Sequence, residues 1–106
     1  MNLFSQQDAP LPEANKVLQG ASEAVQSARR EAYGPVLTHF EDVATMWNQF
    51  LGLQGEFDIK ASDVPLMMVL YKVCREKAHH SLDNMVDIAG YAAVCEQVIS
   101  DQGGPG

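Results

Sequence analysis

The chain has 106 residues, a formal net charge of −7 and a pI of about 4.7. This length suits a single domain, which buries roughly 60–70% of its unfolded surface and so has a modest core. The acidic balance argues against a nucleic-acid binder, since phosphate contacts need a basic face. The start has no basic region and no secretory apolar run, and no segment reaches the roughly 20 apolar residues of a membrane span. We therefore expect a cytoplasmic protein that contacts no membrane.

Composition divides the chain into a single helical domain, residues 12–100, between polar ends, residues 1–11 and 101–106, that we expect to be disordered. The first helix is predicted over Glu13–Glu31, and the Gly-Pro pair at 34–35 ends it. Apolar residues recur in it at helical spacing: Ala14, Val17, Leu18, Ala21, Ala24, Val25 and Ala28. Their small size favours close approach to a partner, either the rest of the chain or another subunit.

Arg30 and Tyr33 lie at the end of this helix and in the turn that follows it. A cation there interacts favourably with the carbonyl end of the helix dipole, which is a purely structural role. An arginine and a tyrosine ring at the mouth of a loop can also hold a phosphate and stack on a base. The residues themselves leave both interpretations open.

A capping box, Thr38 followed by Glu41, predicts the start of the second helix. Glu41 and Asp42 would then lie in its first turn, where carboxylates interact favourably with the helix dipole. The apolar face of this helix contains Phe40, Val43, Ala44, Trp47, Phe50 and Leu51. An aromatic stripe of this kind is more typical of a protein core than of a cofactor site.

Two further helices are predicted over Val64–Cys74 and residues 81–100. The first of them is apolar on nearly every side, which predicts burial on most sides. The connection between them is short, so we expect the two helices to be antiparallel neighbours. It contains His79 and His80, and adjacent histidines are poorly placed to bind one metal ion. The predicted fold is all-α, with four helices, a central antiparallel helical hairpin and assembly into a homo-oligomer.

Charged residues interrupt the apolar pattern of this hairpin. Counting outward from the turn places Arg75 level with Asp83 and Asn84, and Lys72 level with Asp87. Buried charges are costly unless they are paired. The four charges therefore form either two interhelical salt bridges that fix the register, or a polar pocket in which the cations meet a phosphate or the carboxylates meet a metal.

Gly90 lies in the middle of the fourth helix, at a cost of about 1 kcal/mol relative to alanine. It either permits close helix packing or opens space for a ligand beside Tyr91 and Asp87. Cys74 and Cys95 fall inside apolar helical patterns, with no CxxC and no Cys/His spacing. This context predicts two buried free thiols.

Three motifs carry a resemblance that spans about Arg29 to Glu96: an Arg-x-x-Tyr-Gly turn, a Lys-x-x-Arg helix and an Asp-Asn-x-x-Asp-x-x-Gly-Tyr helix. With these motifs the chain resembles a small phage-encoded all-α family of unassigned function. More distantly, it is similar to the MazG-like nucleotide pyrophosphohydrolases and the phage nucleotide-modification-associated domains. A phage protein of this kind would act in the cytoplasm of the host cell.

The distant relatives hold magnesium with carboxylates from facing helices and split nucleoside triphosphates with activated water. Asp83 and Asp87 can stand for one acidic motif, but Lys72 and Arg75 occupy the facing helix, where magnesium needs further oxygen ligands. The resemblance therefore implies nucleotide binding without cleavage or a cofactor, namely sequestration of a cyclic nucleotide or a cyclic ADP-ribose-type host immune signal. In this interpretation Arg30, Lys72 and Arg75 contact phosphates, Tyr33 or Tyr91 stacks on a base, and Asp83, Asn84 or Asp87 binds ribose or base edges.

Two alternative functions remain open. The first is a MazG-like, magnesium-dependent nucleoside triphosphate pyrophosphohydrolase with Asp83 and Asp87 as its metal ligands. The second is a small helical protein-interaction module that assembles through its alanine-rich first helix and has no small-molecule ligand.

Overall fold

A computed structural model describes residues 9–30 and 35–103. These residues form four α-helices, a short 3₁₀ helix and no strand, which confirms the predicted all-α fold with four helices. The helices are α1 (Pro12–Arg30), α2 (Val36–Leu51), α3 (Asp63–Ala78) and α4 (Leu82–Asp101), and the 3₁₀ helix is Gly55–Phe57. The segment between α2 and α3 therefore contains a short helical turn.

The start of α2 differs from the prediction. The helix begins at Val36, with Pro35 as its N-cap residue and no side-chain capping hydrogen bond, so the capping box at Thr38 and Glu41 is wrong. Pro35 has φ −59°, close to the value that its ring imposes, and its carbonyl accepts a hydrogen bond from the His39 N–H at 3.1 Å. The first backbone hydrogen bond of α2 is thus accepted by Pro35, three residues before Thr38.

Helix α4 is the central element of the fold because it packs against each of the other three helices. Close packing with α1 occurs at Gly20, where a Cβ atom would lie 2.9 Å from a methyl group of Val86. Three contacts join α3 and its N-cap residue to α4. They pair Ser62 with Cys95, Lys72 with Asp87, and Glu76 with Asn84.

The core of the single chain is small. The buried apolar residues of the described ranges are Ala21, Ala44, Ala61, Val64, Cys95 and Val98. Three of these six are alanines, and the largest fully buried side chains are those of Val64 and Val98, together with Pro65 outside this set. Helix α3, which was predicted to be buried on most sides, instead exposes one broad side on which Leu70 is 65% exposed. The apolar residues of α3 therefore do not all serve the core of their own chain.

Candidate functional site

Lys72 and Asp87 form an ion pair between α3 and α4, as the sequence predicted. Lys72 Nζ lies 2.9 Å from Asp87 Oδ2, and the two side chains are 18% and 38% exposed. Lys72 Nζ also lies 5.7 Å from the centre of the Tyr71 ring, within the range of a cation–π interaction. The pair thus holds the register of two helices, and its lysine charge is already compensated within the chain.

Asn84 is buried, and its side chain helps to form the turn between α3 and α4. Its Nδ2 donates hydrogen bonds to Glu76 Oε1 and to the His79 carbonyl, both at 3.2 Å. The Asn84 backbone N–H donates to Ser81 Oγ at 3.1 Å, so Ser81 caps α4. An amide held in this way orients the start of α4.

Glu76 is a central residue of this cluster that sequence reasoning missed. Its carboxylate accepts hydrogen bonds from Asn84 Nδ2 and the Ser81 N–H, and it pairs with the ring of His80. Partial burial opposes ionisation, but the hydrogen bonds from His80, Asn84 and Ser81 prevail and lower the pKa of Glu76. The spacing of Lys72 and Glu76 could have identified Glu76 from the sequence, because residues four apart on a helix share a face.

Arg75 and Asp83 do not form the predicted salt bridge. Arg75 Nη1 instead makes a long 3.5 Å hydrogen bond to Tyr71 Oη, and this bond together with the arginine charge lowers the pKa of Tyr71. Asp83 is exposed in the first turn of α4, where a carboxylate interacts favourably with the helix dipole. The register prediction was wrong here because the face that α3 turns to α4 contains positions 72 and 76 rather than 75.

A small cleft lies between α1 and α4. Its volume is about 180 Å³, and it is lined by Ala24, Val25, Val86, Asp87, Gly90, Tyr91 and Val94. No heavy atom lies within 4 Å of the position that a Cβ on Gly90 would take, so this glycine borders open space. The cleft brings Asp87 and Tyr91 together, but it is smaller than the roughly 300–1,000 Å³ of typical ligand pockets.

Two predicted ligand contacts cannot be placed in this cleft, because Tyr33 and the side chain of Arg30 lie outside the described residues. Within the described ranges, no group of three or more His, Cys, Asp or Glu side chains is placed to hold a metal ion. The two carboxylates considered as metal ligands have separate environments, since Asp87 pairs with Lys72 and Asp83 is exposed.

Large apolar side chains are exposed side by side on α2 and α3. This apolar face consists of Met46, Phe50 and Leu51 on α2 and Leu66, Met67, Leu70, Tyr71 and Val73 on α3. Their exposed fractions range from 38% for Met67 to 89% for Phe50. A groove of about 560 Å³ joins the two helices within the face and is lined by Met46, Trp47, Phe50, Leu51 and Met67. The sequence suggested a core stripe on α2, but Phe50 and Leu51 at its end are exposed in the single chain.

The two cysteines have different environments. Cys95 is buried as predicted, its Sγ lies 3.4 Å from the Ser62 carbonyl, and burial raises the pKa of its thiol. Cys74 is exposed beside the apolar face, so the prediction that it would be buried was wrong. Both are free thiols, as expected.

No α-helix in the described part of the chain is both long and apolar enough to cross a membrane. The described residues thus define an all-α protein with a helix-to-helix ion pair, a small cleft and a broad apolar face. The chain belongs to the family described as "Domain of unknown function (DUF6378)", whose model matches residues 16–99.

A curated relative, the Gene 55 protein of Mycobacterium phage L5, is 34% identical over 84 residues, which cover 77% of this chain and 51% of the relative. The chain therefore spans about half the length of the curated relative that it matches. No solved structure matches the chain. These findings support the predicted membership in a small phage family of unassigned function, and neither match is to a MazG-like protein.

Proposed function

We propose that this protein is a helical interaction protein that assembles with copies of itself through the apolar face of α2 and α3. The observation that carries the proposal is the exposure of eight large apolar side chains on two helices that a groove joins at Met67. In this proposal α3 and α4 form an antiparallel hairpin, which the Lys72–Asp87 ion pair and the Glu76–Asn84 hydrogen bond stabilise. The hairpin presents the outer side of α3 to a second copy.

The extent of the apolar face supports a second copy as its occupant. Large side chains have roughly 150–250 Å² to bury, and about half of each is exposed here, so the face offers several hundred Å² of apolar surface. Single chains rarely expose so large a continuous patch, and each partner in a stable interface contributes roughly 800 Å². Burial of the same face on a second copy supplies the apolar contacts that the small core of one chain lacks.

This assembly differs from the one expected through α1. Two small residues of α1 are used within the chain, since Ala21 is buried and Gly20 approaches Val86 on α4. Only Leu18 remains as a large exposed apolar residue in the described part of α1 itself. Leu18 and Leu70 are 64% and 65% exposed, which makes them a matched pair for mutation.

The test compares wild type, Leu70→Asp and Leu18→Asp by size-exclusion chromatography with light scattering. Wild type and Leu18→Asp should have a mass at least twice the 11.6 kDa of one chain, whereas Leu70→Asp should be a monomer with an unchanged helical circular dichroism spectrum. A wild-type monomer at high micromolar concentration would refute the proposal. A monomeric Leu18→Asp beside an oligomeric Leu70→Asp would instead assign the assembly to α1.

A second candidate function is sequestration of a nucleotide without cleavage, such as a cyclic nucleotide or a cyclic ADP-ribose-type host immune signal. The observation that favours it is the cleft that brings together Asp87 and Tyr91 beside the open space at Gly90. Tyr91 would stack on the base, and Lys72 would contact a phosphate only by giving up its ion pair with Asp87. Because the cleft of one chain is small, a nucleotide would also need the turn that contains Tyr33 or a neighbouring copy.

The second candidate is tested by depletion. The protein is mixed with linear and cyclic nucleotides and magnesium, filtered, and heated to release what it retained. Sequestration predicts that one compound disappears and returns intact, that Gly90→Leu abolishes the loss by filling the cleft, and that Gly90→Ala retains it. A nucleotide converted to its monophosphate and pyrophosphate would support the MazG-like alternative, and no depletion of any compound would exclude both.

A further inference from the structure

Leu70 is the centre of the exposed apolar stripe on α3. Residues three, four and seven positions away share its side of the helix, because an α-helix has 3.6 residues per turn. Four apolar neighbours flank it at three and four positions: Leu66, Met67, Val73 and Cys74. All four are exposed in the single chain. The stripe is therefore apolar to the same distance in both directions from Leu70.

The ends of the stripe have opposite charges. Asp63 lies seven residues before Leu70 and Lys77 seven residues after it, each about 10 Å along the helix. Asp63 Oδ2 accepts a hydrogen bond from the Lys60 N–H at 2.8 Å, which fixes the carboxylate at the start of α3. Lys77 is exposed and forms no ion pair within the described residues of a single chain. When two such stripes run in opposite directions, the negative end of each therefore lies beside the positive end of the other.

We infer that two copies of the chain pair through antiparallel α3 helices around a two-fold axis at Leu70, an inference that rests on the self-assembly proposed above. The axis places Leu70 of one copy against Leu70 of the other. Leu66 and Met67 then contact Val73 and Cys74 of the second copy, and the groove beside Met67 receives part of the partner helix.

Charge and dipole both favour the antiparallel direction over the parallel one. Asp63 of each copy meets Lys77 of the other, which forms two symmetric ion pairs at the ends of the interface. A parallel pair would place like charges together at both ends and would align the two helix dipoles unfavourably. The self-complementary stripe thus specifies the direction as well as the location of the contact.

A disulfide at the axis provides a direct test. Helix axes pack about 8–10 Å apart, and Cα atoms lie about 2.3 Å from each axis, so symmetric Cα atoms at the contact come within about 3.4–5.4 Å of each other. This distance suits a disulfide. Leu70→Cys in a Cys74→Ala background should therefore form a cross-linked dimer with oxidised glutathione, which takes up the two electrons and two protons. Leu18→Cys in the same background, with equal exposure, is the matched control and should cross-link at least tenfold more slowly.

The charge pairs provide a second readout. Lys77→Glu should weaken the dimer about tenfold by removing two ion pairs and adding repulsion, and high salt should reduce this difference. Lys16→Glu, a charge change on α1, should leave the dimer unchanged. If light scattering gives an oligomer but Leu70→Cys and Leu18→Cys cross-link alike, the axis at Leu70 is wrong while self-assembly stands. If the wild type is a monomer at every concentration, the proposed function itself fails.

Discussion

Single residues show how this sequence uses polar groups inside a small helical protein. Asn84 was a predicted ligand contact, but its side chain makes two hydrogen bonds in the turn between α3 and α4, and its backbone N–H donates to the capping residue Ser81. Glu76 receives bonds from three residues at the same turn. Leaving such groups without partners would cost more than each bond contributes, so the cluster stabilises one arrangement of the turn.

Glu76 should make stability depend on pH in the acidic range. Its pKa is lowered in the folded state, so the stabilisation is complete above the ordinary pKa of a glutamate and is lost as pH falls through the lowered value. Glu76→Gln should lower the melting temperature at pH 7, and this difference should shrink below about pH 4. Thermal melts from pH 7 to pH 3 measure it, with Glu41→Gln on the exposed face of α2 as control. A Glu76→Gln difference that stays constant over this range would contradict the assigned role.

At the scale of helices, the sequence predicted where the helices lie better than it predicted which of their residues are buried. The 3.6-residue period located all four helices, because periodic apolar spacing is a local property of the chain. The cap of α2 was mispredicted because Pro35 begins the helix before Thr38 can cap it. Periodicity shows which residues of α3 are apolar, but it cannot show whether their partner is the same chain or another. Likewise, the contact between Lys72 and Asp87 followed from counting residues outward from the turn. The role of Glu76 could not be predicted in this way, because only the packing decides whether the residue three or four positions after Lys72 faces α4.

Replacement of glycine by alanine should have opposite effects on stability at Gly90 in α4 and at Gly20 in α1. Gly90→Ala adds a methyl group to open space and should stabilise the protein by about 0.5–1 kcal/mol through helix propensity. Gly20→Ala gains the same propensity but places its Cβ 2.9 Å from the stiff side chain of Val86, so it should destabilise by about 1 kcal/mol. Urea unfolding measures both.

The control for Gly20→Ala is the double variant Gly20→Ala/Val86→Ala. Removing the methyl groups of Val86 should make the alanine at position 20 favourable, which a double-mutant cycle reports as a coupling between the two sites. Stabilisation by Gly20→Ala in the wild-type background would mean that α1 and α4 are not in close contact there.

At the scale of the whole molecule, burial is unevenly distributed. The chain is 46% hydrophobic by its Ala, Val, Ile, Leu, Met, Phe, Trp, Tyr and Cys content, yet six residues of these types are buried in the described ranges, and half of the six are alanine. Stability of a domain is a small difference between burial and conformational entropy, so a few side chains of this size contribute little surplus. The apolar face of α2 and α3 is the surface on which the missing burial can be gained, and folding should then be coupled to association.

Coupled folding and association predict that the melting temperature rises with protein concentration. For a dimer, a tenfold increase adds about 1.4 kcal/mol, which corresponds to about 3–5 °C for a unit of this size. Leu70→Asp should lose this dependence and melt at the lower temperature at every concentration, because its charge prevents burial of the face. Leu18→Asp, equally exposed on α1, should follow the wild type. Wild-type melts that coincide over a hundredfold range of concentration would show that one chain folds without a partner, and the apolar face would then lose its proposed role in stability.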